Sequence, residues 1–185
     1  MKGSIRNSYE FQVSNLHIIT AAHCVFRESP NQFEIEVGVQ DTRDSNSKRV
    51  YKLDSISVHP KYKGRTNDNN WKNGMIDNDI AIITLEQPIE SSEFVKPIEL
   101  LEGKEIPATS GLIVGWGAKS GKPLSDPTYN LKEAQMPIRS NEDCDDMLNT
   151  VRNHFKRTVT IKKGHLCAGY DEGGIDGCQV RFEKS

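Results

Sequence analysis

Leu16-His17-Ile18-Ile19-Thr20-Ala21-Ala22-His23-Cys24 (LHIITAAHC) begins as an apolar run of strand length and closes on a histidine where that strand ends. Apolar, β-branched runs of this size read as buried strands rather than helices, because helices need longer periodic stretches. His23 therefore stands where a chain leaves a sheet. A histidine there is by itself structural or merely exposed, and it gains meaning only from what accompanies it.

Outward from this stretch the chain is dominated by strands. Phe33 to Val39 (FEIEVGV) and Tyr51 to Val58 (YKLDSISV) alternate apolar and polar side chains, the pattern of half-buried strands. Asp79 to Leu85 (DIAIITL) is a more continuous apolar strand, and Leu112 to Val114 (LIV) a short one. Asp41 to Lys48 (DTRDSNSK) and Lys63 to Asn73 (KGRTNDNNWKN) are too polar to supply core and belong at the surface. Glu86 to Gly111, with Pro88, Pro97 and Pro107, reads as a crossover between two groups of strands. One helix is expected after Ser140. That serine and Asp143 form a capping box, and Glu142, Asp143 and Asp145 crowd the positive end of the helix dipole. Met147 and Leu148 are expected to face inward. The acids around Cys144 read as this helix start rather than as a cation site.

The whole chain has 185 residues and a net charge of −2, with 27% charged residues of both signs. No basic face points to nucleic acid and no polybasic run to a membrane surface, so the expected partner is a protein, peptide or small molecule. The apolar runs are strand-sized and too short for a membrane span. Met1 to Ser8 carries positive charge without an apolar run after it, so no signal peptide is read in this chain. The four cysteines, at positions 24, 144, 167 and 178, include no CxxC pair and no tight Cys/His cluster suited to zinc. Counting alone leaves open two disulfides or four free thiols.

Combination changes the reading of His23. TAAHC at 20–24, DNDIAIITL at 77–85, GWG at 115–117, LCAGY at 166–170 and GGIDGCQ at 173–179 occur in this order. Together they resemble the trypsin and chymotrypsin family of serine endopeptidases, from about Val13 to Gln179. The resemblance implies an all-β fold of two antiparallel six-stranded barrels: residues 13–95 as the first and 96–179 as a truncated second, between a non-matching leader (1–12) and tail (180–185). It implies that His23 is a general base and Asp79 the buried carboxylate that orients it and stabilises the imidazolium. Asp77 is the confusable neighbour; Asp79 is preferred because it directly precedes the Ile-Ala run. Asp176 and Gln179 are implied to bind substrate, with Asp176 at the floor of a pocket for a Lys or Arg side chain. Cys144 and Cys167 are implied to form a disulfide, which fits an oxidising, extracellular compartment. The implied partners are protein or peptide substrates with Lys or Arg, and protein protease inhibitors. No cofactor is implied. No metal is expected either, since Val39 stands where the calcium loop of some relatives would begin.

The resemblance stops abruptly after Gln179. Where the family continues Gly-Asp-Ser-Gly-Gly, this chain reads Val180-Arg181-Phe182-Glu183-Lys184. Phe182 takes the nucleophile's place, Val180 that of an oxyanion-hole glycine and Arg181 that of the aspartate that receives the activated N-terminus. Ser185 comes too late to be aligned. Loss of the nucleophile in a comparable triad costs roughly a millionfold in turnover, so the chain is expected to be inactive. The position of Cys24's usual disulfide partner is Ser8, and the second barrel lacks its last strands and helix. Both margins can be read as translated intron, since Val180-Arg181-Phe182 can be encoded GTA-AGA-TTT and Phe11-Gln12 TTT-CAG. The expected function is therefore that of a parent endopeptidase cleaving after Lys or Arg, of which this chain is an inactive fragment. The alternative is a non-catalytic homologue acting as a binding or regulatory module.

Overall fold

The computed structural model describes residues 3–5, 11–64, 77–101, 109–117, 128–155, 161–162 and 164–175. Nine strands, two α-helices and a 3-10 helix (Pro30–Gln32) occur among them: β1 (Gly3–Ile5), β2 (Phe11–Gln12), β3 (His17–Thr20), α1 (Ala22–Val25), β4 (Phe33–Val37), β5 (Arg49–Val58), β6 (Ala81–Leu85), β7 (Ser110–Gly115), β8 (Lys132–Arg139), α2 (Asn141–Phe155) and β9 (Cys167–Ala168). They form a six-stranded sheet in the order β1-β4-β5-β6-β3-β2 and a three-stranded sheet in the order β7-β8-β9. This mostly-β, two-sheet arrangement fits the two-barrel architecture, with only a few strands described in the second half. One pairing departs from the antiparallel expectation: β1 lies parallel to β4, with Gly3 opposite Phe33 and Ile5 opposite Ile35.

Period-two burial organises the first sheet. Along β6, Ala81, Ile83 and Leu85 are buried while Ile82 points outward at 43% exposure. The inward set meets Ile18 of β3, Ile35 of β4 and Leu53 of β5, and Val25, Ile89 and Val95 complete the same core. β6 sits between β3 and β5, pairing Ile83 with Ile18 on one side and with Ile56 on the other. Its continuous apolar sequence reflects that central place. The crossover that follows β6 is without strand or helix over 86–101, yet Ile89 and Val95 from it are buried.

In the second sheet β8 pairs with β7 along its length and with β9 at Ile138 and Arg139. The segment after β4 is joined to the flanks of β7 and β8 by two backbone bonds and one side-chain bond. Thr42 N donates to Tyr129 O at 2.9 Å and Leu131 N to Gln40 O at 2.8 Å, while the Trp116 indole donates to Gln40 O at 3.2 Å. Helix α2 begins as expected, with Asp143 N donating to Ser140 Oγ at 3.0 Å. Its inward face differs from the expectation. Cys144 is buried and Leu148 half-buried, but Met147 is 40% exposed. The disulfide from Cys144 to Cys167 of β9 turns the side bearing positions 141, 144, 145 and 148 toward the sheet. At 100° per residue Met147 then falls off that face.

Candidate active site

Two elements of the first sheet bring His23 and Asp79 together. β3 ends at Thr20 and the one-turn α1 follows, anchored by Ala22 and Val25, which are 0% and 1% exposed. With those side chains held in the core, His23 is directed outward. The first N–H groups of a helix have no partner within it, and here Asp79 supplies one: His23 N donates to Asp79 Oδ1 at 2.7 Å. The other carboxylate oxygen, Oδ2, lies 2.7 Å from His23 Nδ1. One carboxylate thus fixes both the backbone and the ring of the same histidine across 56 residues of sequence.

Asp79 is aimed by a tight turn ahead of β6. Asn78 adopts φ +55°, a left-handed conformation that asparagine tolerates better than most residues. Ile80 N donates back to Asn78 O at 2.9 Å, and His59 N donates to Ile80 O at 3.0 Å. Asp77, the alternative carboxylate, points elsewhere: its Oδ2 lies 2.9 Å from Lys162 Nζ. Asp79, and not Asp77, is thus the carboxylate in contact with His23. One detail differs from the sequence reading, because the Asp79 side chain is 21% exposed and not fully buried. Its turn lies on the rim of an open cavity of about 670 Å³ lined by Phe11, Ile19, Thr20, Ile80, His165 and Leu166 among others, which admits solvent beside it.

The Asp79 carboxylate is the leading cause that pushes the His23 imidazole from its ordinary 6.5 up to about 10, with Cys24 adding to the rise and burial opposing it. Cys24 itself is half-buried and free of any disulfide, and it packs against the first-sheet core.

The second sheet anchors the segment that follows β9. Gly169 N donates to Pro137 O at 3.0 Å, the Tyr170 hydroxyl to Gln135 O at 3.0 Å, and Arg139 Nη2 to Asp171 Oδ1 at 2.9 Å. Asp176, Gln179 and Phe182 lie outside the described residues, as does Cys178. Sequence reasoning missed Lys162, because a single lysine in a polar stretch carries no motif. Among the described residues no group of three or more His, Cys, Asp or Glu side chains is arranged to hold a metal ion. No helix among them is long and apolar enough to cross a membrane.

Two β-sheets, with a histidine and an aspartate held together at one end of the first, fit the class of two-barrel β-proteins. The sequence model of the Trypsin family matches residues 8–180, and the chain belongs to that family. Among curated proteins it is similar to the clotting factor G beta subunit of Tachypleus tridentatus, at 28% identity over 175 residues, covering 90% of this chain and 52% of that protein. It is also similar to trypsin eta of Drosophila melanogaster, at 29% identity over 164 residues, covering 88% of this chain and 55% of that protein. The chain spans about half the length of these relatives. Among solved structures, the scabies mite inactivated protease paralogue S-D1 superposes with a TM-score of 0.66 at 23% identity, over 86% of this chain and 63% of that one. That likeness concerns the fold.

Proposed function

We propose that the chain carries the base half of a trypsin-like serine endopeptidase site, with His23 as general base and Asp79 as the carboxylate that orients it. The observation that carries this reading is the double hold of one carboxylate on His23, 2.7 Å to Nδ1 and 2.7 Å to the backbone nitrogen. A proton on Nδ1 held by Asp79 leaves Nε2 as the nitrogen facing a reacting group. Where a nucleophilic hydroxyl is present, Nε2 accepts its proton as that oxygen bonds to the substrate carbonyl, then returns the proton to the departing amine. Cleavage after Lys or Arg, with Asp176 receiving the basic side chain and Gln179 beside it, is the specificity that the sequence pattern favours. Protein and peptide substrates, and protein inhibitors that imitate them, are the matching partners. The Cys144–Cys167 disulfide favours a secreted setting.

This chain itself does not hydrolyse peptides on this reading. Phe182 offers no nucleophile at the position the resemblance assigns to it. That feature also favours the second reading, a non-catalytic homologue that binds protein partners. Assay of the oxidatively refolded chain on Lys and Arg esters tests the proposal. Absence of turnover is expected, and turnover that is lost in His23→Ala contradicts it.

A further inference from the structure

The turn that aims Asp79 is held from outside the first sheet. Lys162 Nζ reaches across from the segment preceding β9 to Asp77 Oδ2 at 2.9 Å. Lys162 is itself set in a closed turn, since its backbone nitrogen donates to His165 Nδ1 at 3.1 Å and His165 N donates to Lys162 O at 2.9 Å. On the other side, Asp77 Oδ1 accepts the Asn78 backbone N–H at 2.9 Å. Asn78 is the left-handed residue of the turn, and Asp79 follows it directly. A continuous set of contacts therefore runs from Lys162 through Asp77 and Asn78 to Asp79 and on to His23. Lys162 and Asp77 are separated by 85 residues, so the contact ties the second half of the chain to the turn that supports the histidine.

We propose that Lys162 is a positioning residue for His23: its ammonium group clamps Asp77, fixes the 77–80 turn, and so keeps the Asp79 carboxylate in register with the backbone and ring of His23. Both partners of the clamp are partly open to solvent, at 47% and 44% side-chain exposure. Such pairs contribute modestly and are screened by salt. The clamp is therefore a small, salt-sensitive bias on an otherwise assembled site. The proposal rests on reading His23 and Asp79 as the functional pair, but its test does not depend on catalysis.

The backbone amide of His23 is the reporter, because its hydrogen bond is to Asp79 Oδ1 and its exchange with solvent deuterium follows the opening of that bond. Exchange is measured by NMR on the full chain for wild type, Lys162→Met and Lys162→Arg, with the amides at the centre of β6 as internal reference. Lys162→Met is expected to speed exchange at His23 by about two- to fivefold, the scale of an exposed ion pair, while the β6 amides stay unchanged. Lys162→Arg restores the wild-type rate, and 1 M salt speeds exchange in wild type but not in Lys162→Met. Equal acceleration at every amide would mean a purely structural role and overturns the proposal. So does a His23 rate indifferent to Lys162, or one that Lys162→Arg does not restore. If the His23 amide has no protection even in wild type, the His23–Asp79 reading falls along with it, so the two failures are distinct.

Discussion

Asp79 accepts two hydrogen bonds from His23, one from its backbone nitrogen and one from ring Nδ1, each at 2.7 Å. The pair is thus held by a carboxylate that also serves as a remote cap for helix α1. Asp79→Asn can keep only one of these bonds with an oxygen, and it removes the negative charge. The His23 ring, pushed up to about 10 chiefly by Asp79, should then titrate lower, toward its ordinary value of 6.5. A ¹H–¹³C NMR titration of the imidazole checks this, and an unchanged midpoint in Asp79→Asn contradicts the assigned cause.

A histidine whose folded pKa lies above its unfolded one binds more protons in the folded state, so it stabilises the fold at low pH and stops doing so as pH rises. Here the contribution is fully present below about 6.5 and is lost as pH climbs through about 10. Urea denaturation midpoints should fall between these limits, and the fall should shrink in His23→Gln. A midpoint that instead rises over the same window contradicts the linkage.

Neighbouring isoleucines in β6 should respond very differently to truncation. Ile83 is 0% exposed within the first-sheet core, so Ile83→Ala removes packed methyl groups and leaves a cavity costing about 2–5 kcal/mol. Ile82, on the opposite face at 43% exposure, should cost about 1 kcal/mol or less on the same change. Equilibrium unfolding of the two variants decides this, and equal losses would mean the strand's inward face is misassigned.

How much of this was legible in the sequence depended on whether the signal was local. TAAHC and the Asp-Ile-Ala run are legible because a strand end and a strand start carry short, local patterns that need no tertiary contact. β8 was not read from sequence. Lys132 to Arg139 (KEAQMPIR) contains charges and Pro137, which argue against a strand, yet pairing with β7 on one side and β9 on the other outweighs that local preference. β1 and β2, of three and two residues, are likewise made by their partners and not by pattern. Met147 was misplaced because the helix's rotation is set by the Cys144–Cys167 link, which periodicity alone does not contain. The Lys162–Asp77 contact could not be foreseen for a related reason: two ordinary surface residues meet only once the fold is formed.

The Cys144–Cys167 disulfide closes a separation of 23 residues and pins α2 to β9. By the chain-entropy model its removal should cost about 3 kcal/mol. Cys144→Ser combined with Cys167→Ser should lower the urea midpoint accordingly, with loss of amide protection concentrated in α2 and β9. Protection lost first from the β3–β6 pairing would contradict the independence of the first-sheet core from this link.

The proposal that no nucleophile accompanies the His23–Asp79 pair is open to direct test. The most direct measurement is intact-mass analysis of the oxidatively refolded chain after incubation with an organophosphonate that labels activated serines. The account predicts no covalent adduct at any serine. An adduct at a serine, lost in His23→Ala, would show that a nucleophile exists after all and that Phe182 does not occupy its place.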